Sequence, residues 1–173
     1  MFERIIVATD GSECGNKAIA TAADIAGKYG AELTIAHVLM HGAPPEALKR
    51  MAEVEHLVDV HPDAPLAFDN MPAMAMSIAA VDRARIDNAV IEAIGRKVIE
   101  RASGAAKQAG AKKVESVVLM GDPAEQIVRA AHDMNAELIV VGSRGLSGFK
   151  RLLMGSVSQK VAQLSDRACL VVH

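Results

Sequence analysis

Glycines recur at every third position in Gly142-Ser143-Arg144-Gly145-Leu146-Ser147-Gly148, and Gly155-Ser156-Val157-Ser158 follows shortly after. Glycine permits positive φ and close backbone approach, so successive N–H groups in such a run can line a concave nest for an anion. If a helix starts at Gly155–Ser158, its first free amides and its dipole favour phosphate. Each such contact is worth only about 0.3–1 kcal/mol when exposed, so several must converge. The residues also allow a plainer reading, a flexible loop followed by a capped helix, because Ser156-Val-Ser-Gln159 has the form of an S-x-x-Q capping box. Neither GxxxxGK[ST] nor G-x-G-x-x-G occurs here.

Other residues of chemical interest are fewer. Ala8-Thr9-Asp10-Gly11-Ser12 and Met120-Gly121-Asp122-Pro123 each close an apolar run. Asp10 suits either a ligand hydroxyl or an Asx turn that starts a helix. Met120 reads by default as a core-edge methionine. His37, His41, His56 and His61 include an i,i+4 pair, but a strand and a loop are poor places for a zinc site and favour ordinary loop histidines. Lys150-Arg151 suits phosphate screening or plain solvated charge. Cys14 and Cys169 form no CxxC pair and read as reduced, buried thiols.

The elements that must position these residues are legible as apolar runs. Arg4–Thr9, Glu32–Leu39, Val114–Leu119, Glu137–Val141 and Cys169–Val172 are mostly continuous, which predicts strands covered on both faces. Between them, helices are predicted over Ser12–Tyr29, Asp82–Gln108, Pro123–Asn135 and Ser156–Leu164. Gly30 and Gly110 stand as C-terminal stops. Asp122-Pro123-Ala124-Glu125 supplies an N-cap, a first-turn proline and a capping-box Glu. The charges of Asp82–Gln108 read as a solvated face. Strand–helix alternation predicts a parallel α/β sheet with right-handed crossovers, whose ligands bind beyond the carboxyl ends of the strands. The stretch His41–Val81, roughly 40 residues, is long for a connection. It holds five of the six prolines and the patch Met71–Ile78. A short helix over Pro45–Val58 is expected there, as an elaboration on a single domain spanning 1–173 that covers the pocket, contacts a partner or packs on the second helix.

Composition narrows the function. With 19 Lys+Arg against 21 Asp+Glu the formal charge is −2, unlike a nucleic-acid binder that works through bulk positive charge. Aromatics are 2% of residues, too few for base-stacking platforms. Hydrophobic residues are 51%, enough for a real core. Glu3 and Arg4 before the first apolar run exclude a signal peptide, and no stretch approaches the ~20 apolar residues of a membrane span. A soluble, cytoplasmic protein is expected, with no nucleic-acid or membrane partner.

Gly142-xx-Gly145, nine residues, then Gly155-Ser156 resembles the G-2x-G-9x-G-[S/T] motif of the universal stress protein family. The similarity extends through Ile5–Ser12, Met120–Pro123 and Ile139–Gly142 and covers nearly the whole chain. The resemblance implies a three-layer, Rossmann-like α/β fold of the adenine nucleotide alpha hydrolase type, with five parallel strands in the order 3-2-1-4-5. It also implies an ATP site and dimers. Carried over by position, Asp10 would bond the ribose, with Ala8 and Thr9 lining the pocket. Val38 would meet the adenine edge through its backbone, and Met120 and Gly121 would flank base and ribose. Gly142, Gly145, Gly155, Ser156, Val157 and Ser158 would hold the phosphates, beside Arg144 in the variable part of the motif. Two departures concern the last strand, which opens with Ala168-Cys169 where a proline is usual, and the long connection after the second strand.

Three functions compete at this point. The first is an ATP-binding stress-response regulator whose occupancy changes its contacts with a protein partner. The second is a slow ATPase or self-phosphorylating enzyme. Against it, no Ser/His/Asp set or acidic metal pair lies at the strand tips, so no catalytic or metal-ligating residue is assigned. The third is a nucleotide-free dimeric scaffold, which the intact glycines disfavour. Mg²⁺ or Mn²⁺ is expected to enter with ATP, held mainly by the phosphates. A homodimer is expected through Cys169–Val172, an apolar strand at a sheet edge. A phosphoacceptor receiver domain is excluded, because Met120-Gly121 stands where its aspartate would be.

Overall fold

Apolar runs that alternate between two buried faces can be satisfied only by a sheet with a helical layer on each side. The computed structural model describes residues 2–39, 73–146 and 154–173, with the backbone alone at 73–88 and 90. In chain order it contains β1 (Arg4–Ala8), α1 (Glu13–Tyr29), β2 (Glu32–Leu39), α2 (Ala73–Gln108), β3 (Lys113–Met120), α3 (Pro123–Asp133), β4 (Leu138–Gly142), α4 (Ser156–Leu164) and β5 (Ala168–Val172). The strands form one sheet in the order β3-β2-β1-β4-β5, parallel throughout. The expected fold class and strand order are therefore observed.

Residues of opposite parity serve the two faces. Ile5, Val7, Leu33, Ile35, Leu138 and Val140 pack under Ala18, Ile19, Ala22, Ala23 and Ala26 of α1 and Ala102 and Ala106 of α2. Ile6, Ala36, Ile139 and Val141 pack under Ala124, Ile127, Ala130 and Ala131 of α3 and Val161 of α4. Alanine-rich helix faces let the helices lie close to the branched side chains of the strands. Each fully buried Val, Leu or Ile contributes about 1.5–3 kcal/mol of transfer free energy.

Most of the boundary signals operate as read. Ser12 caps α1 by accepting from Gly15 N–H at 3.1 Å. Gly30, at φ 70°, ends α1 by donating to the Ala26 carbonyl. Asp122 caps α3 through Glu125 N–H at 3.1 Å, with Pro123 in the first turn. Three expectations need correcting. The second helix starts at Ala73 rather than Asp82, because Ala and Met are strong helix formers and Pro72 just ahead is a residue suited to a helix start. The third helix closes at Asp133, with Met134 as its C-cap and Asn135 at φ 51°. Ser156 is the first residue of α4 and Gly155 is its N-cap, with no side-chain cap bond, so no Ser156–Gln159 capping box forms.

The chain divides into two units, Met1–Leu39 with Lys97–His173, and Met40–Arg96. In the second, the described part is helical, with Glu92 and Arg96 paired at 3.7 Å along one face. The expected short helix at Pro45–Val58, and His41, His56 and His61, lie outside the described residues.

Candidate functional site

The carboxyl ends of β1 and β4 lie side by side, with Ala8 opposite Val141 in the register. Just beyond β1, Thr9 is buried and tied on three sides. Its N–H donates to the Ala36 carbonyl at 3.0 Å, its carbonyl accepts from His37 Nδ1–H at 2.8 Å, and its Oγ1 accepts from Gly11 N–H at 3.1 Å. Gly11 turns the chain at φ 84°. Asp10 follows, with Oδ1 accepting from Ser12 N–H at 3.0 Å. This is the Asx turn that the sequence allowed.

At and just beyond the end of β4, only one of the two expected reasons for glycine applies at Gly142 and Gly145. Neither is among the positive-φ glycines. Close approach, by other parts of the protein, demands them. A Cβ at Gly142 would lie 2.7 Å from the Cys14 carbonyl carbon, where the first turn of α1 crosses β4. A Cβ at Gly145 would lie 2.5 Å from Asp10 Oδ2. Gly148 and Lys150-Arg151 lie outside the described residues.

Ser143, which the spacing argument passed over, joins these elements. It is fully buried; its N–H donates to the Val172 carbonyl at 2.6 Å, and its own carbonyl accepts from Gly155 N–H at 2.6 Å and Ser158 Oγ at 3.2 Å. Its hydroxyl approaches Cys14 Sγ at 3.9 Å. One residue thus holds the end of β5, the start of α4 and the first turn of α1 together. His37, read above with the ordinary loop histidines, needs correcting, since it is buried on β2. It is a buried histidine whose Nδ1 must carry a proton to donate to the Thr9 carbonyl, and only the strand pairing brings it there.

This scaffold leaves backbone donors free. The N–H groups of Arg144, Gly145, Ser156, Val157 and Ser158 have no hydrogen-bond partner among the described residues. Gly155 connects the two sets, and a Cβ there would stand 3.2 Å from the Ser143 carbonyl oxygen. Arg144 is exposed, and its carbonyl accepts from Ser12 Oγ at 3.3 Å.

The remaining expected residues lie along the same sheet edge. Val38 is half-buried on β2, opposite Leu119. Met120 ends β3 opposite Leu39 and is 64% exposed, so the core-edge reading does not hold. Gly121, at φ 135°, has the Gln126 side chain across its Cα, 2.9 Å from where a Cβ would stand. Beside it, Lys160 of α4 pairs with Asp122 at 3.1 Å and Glu125 at 3.3 Å, joining the starts of α3 and α4. The Glu125 N–H, and then Lys160, hold the Asp122 carboxyl below its ordinary value, while Asp122 and Glu125 raise Lys160. Among the described residues, no three His, Cys, Asp or Glu side chains gather as a metal site.

The chain as a whole has known relatives. The sequence model of the universal stress protein family matches residues 1–173. The chain belongs to this family. The universal stress protein YxiE of Bacillus subtilis (strain 168) is 34% identical over 173 residues, covering 100% of both chains. A universal stress protein solved in complex with cAMP superposes at a TM-score of 0.59 with 26% identity, covering 99% of this chain and 97% of the other. The universal stress protein of Archaeoglobus fulgidus in complex with dAMP, at 17% identity and a TM-score of 0.58, covers 98% of this chain and 97% of its own and shares the fold. Membership accounts for the strand order. Among the described residues of this universal stress protein, no helix is long and apolar enough to cross a membrane.

Proposed function

We propose that this universal stress protein is a cytoplasmic ATP-binding regulator whose nucleotide occupancy modulates its contacts with a protein partner. One observation carries the reading. Amides of Arg144 and Gly145, and of Ser156, Val157 and Ser158, with no partner among the described residues, flank the hydrogen bond that joins Ser143 to Gly155. Backbone donors held this way suit a polyanion, because they are fixed before the ligand arrives. Ala8, Thr9 and Asp10 then line the ribose side, and Val38, Met120 and Gly121 the base side. Mg²⁺ or Mn²⁺ would come with the phosphates, since the N–H groups offered here are donors and cannot ligate a cation. The relative solved with cAMP supports an adenine nucleotide, and it favours a second reading in which the ligand is a monophosphate.

The test is to denature the purified protein, identify any released nucleotide by chromatography, and titrate the empty protein with ATP and with cAMP by calorimetry. The expected result is ATP binding that Ser156→Asp abolishes. An acid in the first turn suits the helix dipole, so α4 should persist while the added charge repels phosphate. Equal ATP affinity in that variant would remove α4 from the site, and preference for cAMP would favour the second reading.

A further inference from the structure

Asp10, given to the ribose under the nucleotide reading, already has both carboxylate oxygens engaged by backbone amides. Oδ1 serves the local turn at Ser12. Oδ2 accepts from Leu146 N–H at 2.8 Å, a bond between residues 136 positions apart that crosses from the end of β1 to the loop after β4. Two neighbouring features point the same way. Gly145 leaves the space that Oδ2 occupies, since a Cβ there would stand 2.5 Å away. Ser12 Oγ also donates to the Arg144 carbonyl at 3.3 Å. At its other end the loop is held by Ser143, buried and bonded to Val172 and Gly155. Arg144 and Gly145, whose amides have no partner among the described residues, are thus stretched between two anchors.

We infer that Asp10 is the positioning residue of the phosphate loop: by holding Leu146 N–H it sets the Arg144 and Gly145 amides for an incoming phosphate. The inference rests on the nucleotide reading. A carboxylate is required because two oxygens serve two donors. A carboxamide has one acceptor, and its NH₂ would face an N–H. The charge of Asp10 acts in the opposite sense, since a carboxylate beside a phosphate repels it. Removing the charge alone would tighten anion binding, whereas losing a preset loop would weaken it.

Inorganic tripolyphosphate separates the two effects, because it presents phosphates without a ribose. Its affinity, with that of ATP, is measured by calorimetry for the wild type, Asp10→Asn and Gly145→Ala. Amide hydrogen exchange is followed across 143–146 in the ligand-free proteins. Both variants are expected to speed exchange at Leu146 and to weaken tripolyphosphate about tenfold, in line with the loss of a charge-assisted hydrogen bond. Gly145→Ala does so with the carboxylate still present. Equal or tighter tripolyphosphate binding by Asp10→Asn, or unchanged exchange at Leu146, overturns the role while leaving the nucleotide reading intact. A wild type that binds neither ATP nor tripolyphosphate removes the phosphate site, and this role with it.

Discussion

His37 and Asp122 show how single side chains hold the sheet edge where ligands would bind. His37 Nδ1–H is the buried partner of the Thr9 carbonyl. His37→Leu keeps the volume apolar but leaves that carbonyl unpaired, which costs about 1–3 kcal/mol. Urea unfolding should show a loss of that size, and a neutral substitution would mean that water replaces the imidazole. Asp122 supplies a pH signature. Its carboxyl is held low by Glu125 N–H and Lys160, so its folded pKa lies below its unfolded value. The resulting stability is present above the unfolded pKa and is lost as pH falls through the folded one. Asp122→Ala should therefore melt below the wild type at neutral pH, and the gap should close as pH falls below about 4. A gap unchanged in acid would show that the carboxylate charge contributes nothing.

At the scale of elements, the contact between α1 and β4 depends on Gly142. A Cβ there meets Cys14 and Gly15 backbone atoms at 2.7–2.8 Å, and backbone cannot rotate aside. Gly142→Ala should destabilise by about 1–3 kcal/mol through forced displacement of α1. Gly155→Ala meets its nearest atom, the Ser143 carbonyl oxygen, at 3.2 Å, so it should cost less in the same urea titration. If the two variants unfolded alike, packing would not be what selects glycine at 142.

For the whole molecule, the open question is what covers β5. Among the described residues it pairs with β4 on one side only, and Cys169, Leu170, Val171 and Val172 are each half-buried. Val157 and Leu164, two turns apart on α4, are exposed apolar residues. An apolar edge of this kind associates unless it is paired, and a two-fold axis would pair it with its own copy. We expect a homodimer through β5 by light scattering at tens of micromolar. Val171→Lys should yield a folded monomer, and a monomeric wild type would reject the interface.

The sequence alone determined the order and kind of the elements of the sheet-bearing unit. Continuous apolar runs and their stop signals specify strands buried on both faces, and Asp122-Pro123 and Gly30 act locally, within one turn. It also located the glycine loop and the start of α4. It misjudged the start of α2, where helix-forming Ala and Met precede the expected boundary, and the capping box that Ser156–Gln159 allowed gives way to Gly155 as the N-cap. Only the tertiary structure decided why Gly142 and Gly145 are glycine, that Ser143 joins three elements, that His37 serves Thr9, and that Asp10 reaches Leu146. These are contacts between residues far apart in the chain. Their geometry follows from strand pairing and helix packing, which no local pattern of residue types encodes.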